Sequence, residues 1–275
     1  MTRTRNIIIL VFLLAGFNAF SQTDEFGAVV GISNYFGDLN TRASFKYVRP
    51  AAGVFYRYNI KYRWAWRNSF TYGIAQFDDK ANSDGWNQQR GLSFKTNIYE
   101  AASMIEFNFF KYDKESKKHW FTPYLGTGLV IFFFNPEAQY KGKWYYLQPL
   151  GTEGQNDPSY TGIKKYKLYS AAIPFVGGFK FSFARFWNVG IEGGIRETFT
   201  KYLDDVSGRY PSYVDLPGGS SGVAAALSYG GNESAKAGYQ RGDGTFDKYF
   251  FGGITISYTI MKLHCPKYSE PSTYR

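Results

Sequence analysis

Between Tyr62 and Phe77 the chain alternates with period two. Trp64, Trp66, Phe70, Tyr72 and Ile74 fall on one side, and Arg63, Ala65, Arg67, Ser69, Thr71, Gly73 and Ala75 on the other. Successive side chains of an extended strand point to opposite faces, so this pattern predicts a strand. The division of residue types then chooses the environment. A soluble sandwich buries its aromatic face and solvates its arginines, whereas a lipid-spanning barrel turns bulky apolar residues to hydrocarbon and encloses the small and charged ones.

The same test picks out seven further segments, of which Phe121–Phe134 is almost wholly apolar and less diagnostic, with Gly126 and Gly128 on one face. They are Phe26–Phe36, Ala52–Tyr58, Phe94–Phe110, Phe121–Phe134, Ala171–Phe183, Asn188–Thr198 and Tyr249–Ile260. In the seventh strand Val189, Ile191 and Ile195 oppose Asn188, Gly190, Glu192, Gly194, Arg196 and Thr198. Between Phe94 and Phe110 the alternation changes phase once, which predicts a β-bulge. All but the shorter Ala52–Tyr58 are long enough to cross a bilayer as a tilted strand of roughly 9–11 residues.

The links alternate in length. Those near Asn59–Lys61, Lys111–His119 and Ala184–Trp187 are short, whereas those at about 78–92, 135–167 and 200–247 are long and rich in Gly, Asn, Asp and Ser. Outer-membrane barrels have short periplasmic turns and long external loops. The expected fold is therefore an all-β, eight-stranded antiparallel transmembrane barrel with both ends of the chain on the periplasmic side. Its 24 Tyr, 26 Phe and 30 Gly against 10 Pro suit strands and not helices. No run of 18 apolar residues follows the N-terminus, which argues against a helical membrane protein.

Residues 1–21 read as an export signal. Arg3 and Arg5 precede the apolar run Ile7 to Gly16, and Ala19-Phe20-Ser21 offers small residues at a cleavage site before Gln22. No cysteine stands at that junction, so an N-terminal lipid anchor is not expected. The domain division is then a signal peptide at 1–21, a barrel at 22–262 and a periplasmic tail at 263–275. The net charge is +10, but it is spread along the chain. In an exported barrel it does not point to nucleic acid, and the expected surroundings are outer-membrane lipids.

Four stretches resemble a known family. They are Ser33-Asn34-Tyr35-Phe36-Gly37-Asp38-Leu39-Asn40, Glu106-Phe107-Asn108-Phe109-Phe110, Leu147 to Gln155 and Phe199 to Gly208. In order and spacing they are similar to the PorG family of outer-membrane barrels in the type IX secretion machinery of Bacteroidota. The resemblance implies a non-enzymatic subunit of the protein secretion and gliding-associated apparatus. Such a subunit anchors a periplasmic ring of PorK and PorN type while cargo passes through a larger barrel.

Candidate site residues follow from the topology. Arg63, Arg67, Glu100, Glu106, Lys180, Glu192 and Arg196 are assigned to the lumen, where buried charges must find partners. Lys111, Lys114, Lys117, Lys118, His119, Arg185, Lys262, His264 and Lys267 are assigned to a positive periplasmic rim that suits an acidic partner or anionic head groups. Cys265 is the one cysteine, and an unpaired cysteine in an exported chain is a candidate for an intermolecular disulfide. Given the resemblance, its partner would be a ring lipoprotein.

With two His, both on the periplasmic side, a Ser-His-Asp hydrolase has no base near the outer leaflet, and no catalytic residue, cofactor or metal is expected. Asp204, Asp205, Asp243 and Asp247 form a candidate external calcium site. They read better as turn-forming and capping carboxylates that pair with Arg196 or Lys201. Rival functions are a surface adhesin or receptor acting through the long loops and, more remotely, a lipid-modifying enzyme.

Overall fold

The computed structural model describes residues 23–112, 118–155, 164–184, 186–219, 222–232 and 234–261. The signal peptide, the tail from 263, Lys114, Lys117, Arg185, Lys262, His264, Cys265 and Lys267 lie outside the described residues. Ten strands are present: β1 (Thr23–Phe36), β2 (Arg49–Lys61), β3 (Trp64–Asp78), β4 (Ser93–Asn108), β5 (Phe121–Phe133), β6 (Glu137–Tyr140), β7 (Lys143–Tyr146), β8 (Tyr169–Ser182), β9 (Trp187–Thr198) and β10 (Lys248–Met261). Three short helices, α1 (Gly85–Arg90), α2 (Leu147–Leu150) and α3 (Val223–Tyr229), lie in the loops. No helix among the described residues is long and apolar enough to cross a membrane.

Eight strands pair antiparallel in the ring β1-β2-β3-β4-β5-β8-β9-β10, and β10 returns to β1 from Thr23↔Met261 to Phe36↔Lys248. Closure leaves every barrel strand two partners and no free edge, the condition for a sheet in hydrocarbon. β6 and β7 form a hairpin that extends β4 beyond the ring at Lys95↔Glu137. Period-two reading did not anticipate this hairpin, because four residues are too few to display a period.

Inside and outside follow the alternation. The outward rows carry Leu129 (69% exposed), Val30 (68%), Ile254, Val54, Ile131 and Ile191. Aromatic residues ring both ends, with Trp64 on Phe107 at 4.9 Å near the turns and Phe133 beside Tyr169 at 6.3 Å near the loops. This is the belt-and-girdle exterior of an outer-membrane barrel.

Two expectations need correction. β4 has no bulge: its register with β3 runs unbroken from Asp78↔Ser93 to Trp64↔Phe107. The apparent change of phase arises because the upper part of β4 rises into the loop region. There Phe94 and Ile98 point into an apolar core while Lys95 and Asn97 face outward. The one register shift noted is between Asn59 and Lys61 of β2. The β2–β3 turn is the pair Tyr62-Arg63, so Asn59–Lys61 belongs to the strand.

Arginine in place of Leu129 or Ile254 is expected to weaken folding into lipid vesicles by about 2–4 kcal/mol. The same change at exposed Gln89 of α1 should stay within about 0.5 kcal/mol. Urea titration of vesicle-inserted protein measures both, and equal tolerance at all three positions would contradict a lipid-facing belt.

Candidate functional site

The lumen is filled by charge. Glu25, Glu100, Glu106 and Glu192 face Arg57, Arg67, Lys180 and Arg196, so the enclosed charges cancel, and all but partly shielded Glu192 are buried. Near the turn end Glu106, 1% exposed, is the hub. It accepts from Lys180 Nζ at 2.6 Å, lies 2.8 Å from Arg57 Nε and has Arg67 at 3.6 Å. Arg57 also reaches Glu25 at 2.9 Å, and Lys180 donates to Asn108 at 2.9 Å. One layer up, Arg67 grips Glu192 with two bonds of 2.5 and 2.9 Å, and Tyr124 donates to the same carboxylate at 2.5 Å. Above that, Arg196 holds Glu100 at 2.9 and 3.0 Å while Tyr249 donates to Glu100 at 2.8 Å.

The alternation puts these groups inside because each lies on the small-residue face of its strand. Six of the seven residues assigned to the lumen meet there. Arg63 does not: it shares the parity of Arg67 but lies in the two-residue turn below the barrel and is exposed, its carbonyl accepting from Asn108 N at 2.7 Å. Two further lumen charges join the six: Arg57, on the enclosed face of the segment read as Ala52–Tyr58, and Glu25, one residue before the segment read as Phe26–Phe36, because β1 starts earlier, at Thr23. Phe55 is an aromatic on that face, stacked between Arg57 and Arg67 at 4.8 and 4.3 Å.

At the turn end, Lys111 and Lys118 are exposed and His119 is half-buried, while Lys111 Nζ lies over the Tyr62 ring at 4.2 Å. Both described ends of the chain, Thr23 and Met261, meet at this end.

The four long loops, 37–48, 79–92, 134–168 and 199–247, close the other end as a cap built on two buried arginines. Arg90 binds Asp79 at 2.6 and 2.7 Å and donates to the carbonyls of Asp38 and Arg241 at 2.9 and 2.8 Å. Arg241 donates to Glu153 at 3.0 Å and to the carbonyls of Asp205 and Ser228 at 2.6 and 3.0 Å. Gly91 and Gly230, the left-handed C-caps of α1 and α3 (φ +66° and +61°), abut so closely that a Cβ on Gly91 would meet the Gly230 carbonyl at 2.7 Å.

The candidate calcium carboxylates do not converge. Among the described residues no group of three or more His, Cys, Asp or Glu is arranged for a metal ion. Asp205 turns to Arg241, Thr152 and Tyr166, not to Arg196 or Lys201. Asp243 is exposed, and its amide donates to Asp38 at 3.0 Å. Asp204 and Asp247 instead share one phenol: Tyr35 Oη lies 2.5 Å from Asp204 Oδ2 and 2.8 Å from Asp247 Oδ1.

A phenol has one proton to donate, so two carboxylates against it require another proton between them. Burial raises both aspartates well above the usual carboxylate range, and their mutual charge adds to this for Asp204. Asp38 is pushed up to about 9 by burial and by the charge of Asp204. Asp205 reaches only about 6, because Arg241 opposes its burial.

The architecture defines the class: a closed eight-stranded antiparallel barrel of outer-membrane type, with a charge-filled interior and a folded cap. The chain belongs to the family described as "Domain of unknown function (DUF6089)", whose profile matches residues 4–220. No curated protein matches the sequence. Similar solved structures include Ail, the attachment invasion locus protein of Yersinia pestis, at 8% identity and a TM-score of 0.42, covering 88% of this chain and 100% of that one. OprG of Pseudomonas aeruginosa is similar at 11% identity and TM-score 0.37, covering 88% and 97%. Neisserial surface protein A is similar at 6% identity and TM-score 0.39, covering 86% and 95%.

Replacing Glu106 by Ala leaves Arg57, Arg67 and Lys180 without their shared carboxylate. The expected loss is about 3–5 kcal/mol of barrel stability, measured by urea unfolding in micelles.

The cap has its own pH dependence. Buried Asp38, Asp204 and Asp247 carry protons when folded that they release when exposed, so the folded cap binds more protons and loses stability as pH rises. The window runs from about 4, the ordinary carboxylate range, to the value of about 9 for Asp38. The slope is up to about 1.4 kcal/mol per pH unit for each such proton. Protease cutting within 199–247 should therefore accelerate between pH 6 and 9.5, and Asp204→Asn should flatten the profile.

Proposed function

We propose that this chain is a non-enzymatic outer-membrane subunit of a type IX protein secretion machinery, of the PorG kind, fastening a periplasmic ring of PorK and PorN type to the membrane. The observation that carries the reading is the filled interior. Three stacked ion-pair layers and a folded cap leave no passage for a folded cargo, so the barrel acts through its ends and not through its lumen. The apolar belt supports residence in the outer membrane.

The working end in this proposal is the turn end. It offers Lys111, Lys118 and His119, with Tyr62 beneath Lys111, and the remaining rim candidates and Cys265 follow from the sequence. A basic rim suits an acidic partner surface, and a cysteine in an oxidising compartment suits a covalent tie. No catalytic step is part of this role. Three of the four stretches that carry the resemblance enter the cap, through Tyr35, Asp38, Thr152, Glu153, Asp204 and Asp205.

The test compares the full chain with one lacking residues 263–275 and with Cys265→Ser, each affinity-purified from detergent-solubilised membranes. The full chain should retain ring subunits and show a high-mass band on a non-reducing gel, which Cys265→Ser removes. The truncated chain should insert normally yet lose the ring and block secretion. Unimpaired secretion by the inserted, truncated chain would overturn this role and favour a surface one.

A further inference from the structure

The outermost part of the cap contains a cleft that an anchoring role does not use. It measures about 710 Å³ and is lined by Trp86, Ser207, Arg209, Tyr239, Gln240 and Asp243, with Gly208, Gly238 and Gly242 contributing backbone. Trp86 and Tyr239 are 48% and 55% exposed. Aromatic residues of the lipid belt sit among other apolar side chains, but these two share their cleft with a hydroxyl, an amide, a guanidinium and a carboxylate.

The cleft is built rather than incidental. Asp84 caps α1 by accepting from Trp86 N at 3.1 Å, and the helix sets Trp86 and Arg90 four residues apart on one face. Arg90 lies 5.0 Å from the Trp86 ring, and its guanidinium is fixed by Asp79. The indole is thus ordered before any ligand arrives, which lowers the entropic cost of binding to it.

The opposite wall is held as firmly. Arg209 donates to the Gly238 carbonyl at 2.8 Å, and the Arg209↔Gln240 bridge pairs the two strands of the loop. Asp243 is tied through its amide to Asp38 and accepts from Thr245 N at 2.8 Å. The neighbouring Asp38 carboxyl holds that of Asp243 below the usual range, which favours an anionic acceptor.

We infer that this cleft binds carbohydrate, with a pyranose ring laid on Trp86 and its hydroxyls shared among Asp243, Gln240, Arg209 and Ser207. The C–H face of a sugar is electropositive at its edges and packs on the negative face of an aromatic ring. Each hydroxyl both donates and accepts, which matches a wall holding a carboxylate acceptor, a guanidinium donor and an amide that is both. One carboxylate and one guanidinium balance, so the cleft favours a neutral glycan over a polyanion. This inference concerns the loop end alone and stands or falls independently of the anchoring role.

The test uses the refolded full-length chain in detergent on an array of bacterial surface glycans and animal oligosaccharides, with calorimetric titration of the retained saccharides. Retention on one arm only identifies the source of the ligand. Trp86→Ala should weaken binding by about tenfold or more, equivalent to about 1.4 kcal/mol, and Asp243→Asn should weaken it severalfold. The heat-dependent gel mobility of a folded barrel should be unchanged in both variants. The inference is overturned if no saccharide binds the wild-type chain, or if saccharides bind it and both variants alike. Should Trp86→Ala fail to fold, Tyr239→Ala and Asp243→Asn, both on the other wall, give the same decision.

Discussion

Everything in this molecule depends on enclosing charge without leaving any of it unpaired. A closed eight-stranded barrel has an interior that side chains can just fill, and hydrocarbon outside prevents water from rescuing an unmatched group. Glu106 shows how the condition is met. Because it serves Arg57 of β2, Lys180 of β8 and, at longer range, Arg67 of β3 at once, β2 and β8, which share no ladder with β4, are cross-linked to it through the contents of the barrel. Glu192 and Glu100 repeat the arrangement above it, each with an arginine fork and a tyrosine hydroxyl. Such packing supplies rigidity.

The cap applies the same rule outside the membrane, with a difference. Arg90 and Arg241 are matched by Asp79, Glu153 and Asp205 and by backbone carbonyls. Among the described residues no cation pairs with the carboxyl groups of Asp38, Asp204 and Asp247, and burial favours their protonated forms. The barrel core is therefore held by opposite charges, and the cap partly by neutralised acids, which makes the two halves respond differently to their surroundings.

The strands were legible because period-two alternation is local: each residue's face is determined by its neighbours two positions away. Even Arg57 and Glu25 could have been assigned from parity, and Arg63 failed only because parity says nothing about where a strand ends. β4 misled for a related reason, since the inside of the barrel changes from polar to apolar at the level of Ile98 and Phe94. The cap was not legible. Arg90 meets the Arg241 carbonyl across 151 residues, and Tyr35 meets Asp204 across 169, and no local pattern marks such partners. Grouping the aspartates of the last loop misassigns Asp205, whose neighbours Thr152 and Tyr166 come from the loop at 134–168 and whose third, Arg241, comes from the far end of its own loop.

The pairing of β1 with β10 sets an order of events. β1 closes the ring with β10, so the cylinder is complete only when strands far apart in the chain have met, and such distant pairings form slowly. Tyr35 and Asp247, 212 residues apart at the loop end of that same seam, come together only after it has zipped. A latched cap therefore reports, at the loop end, that the seam beneath it has closed.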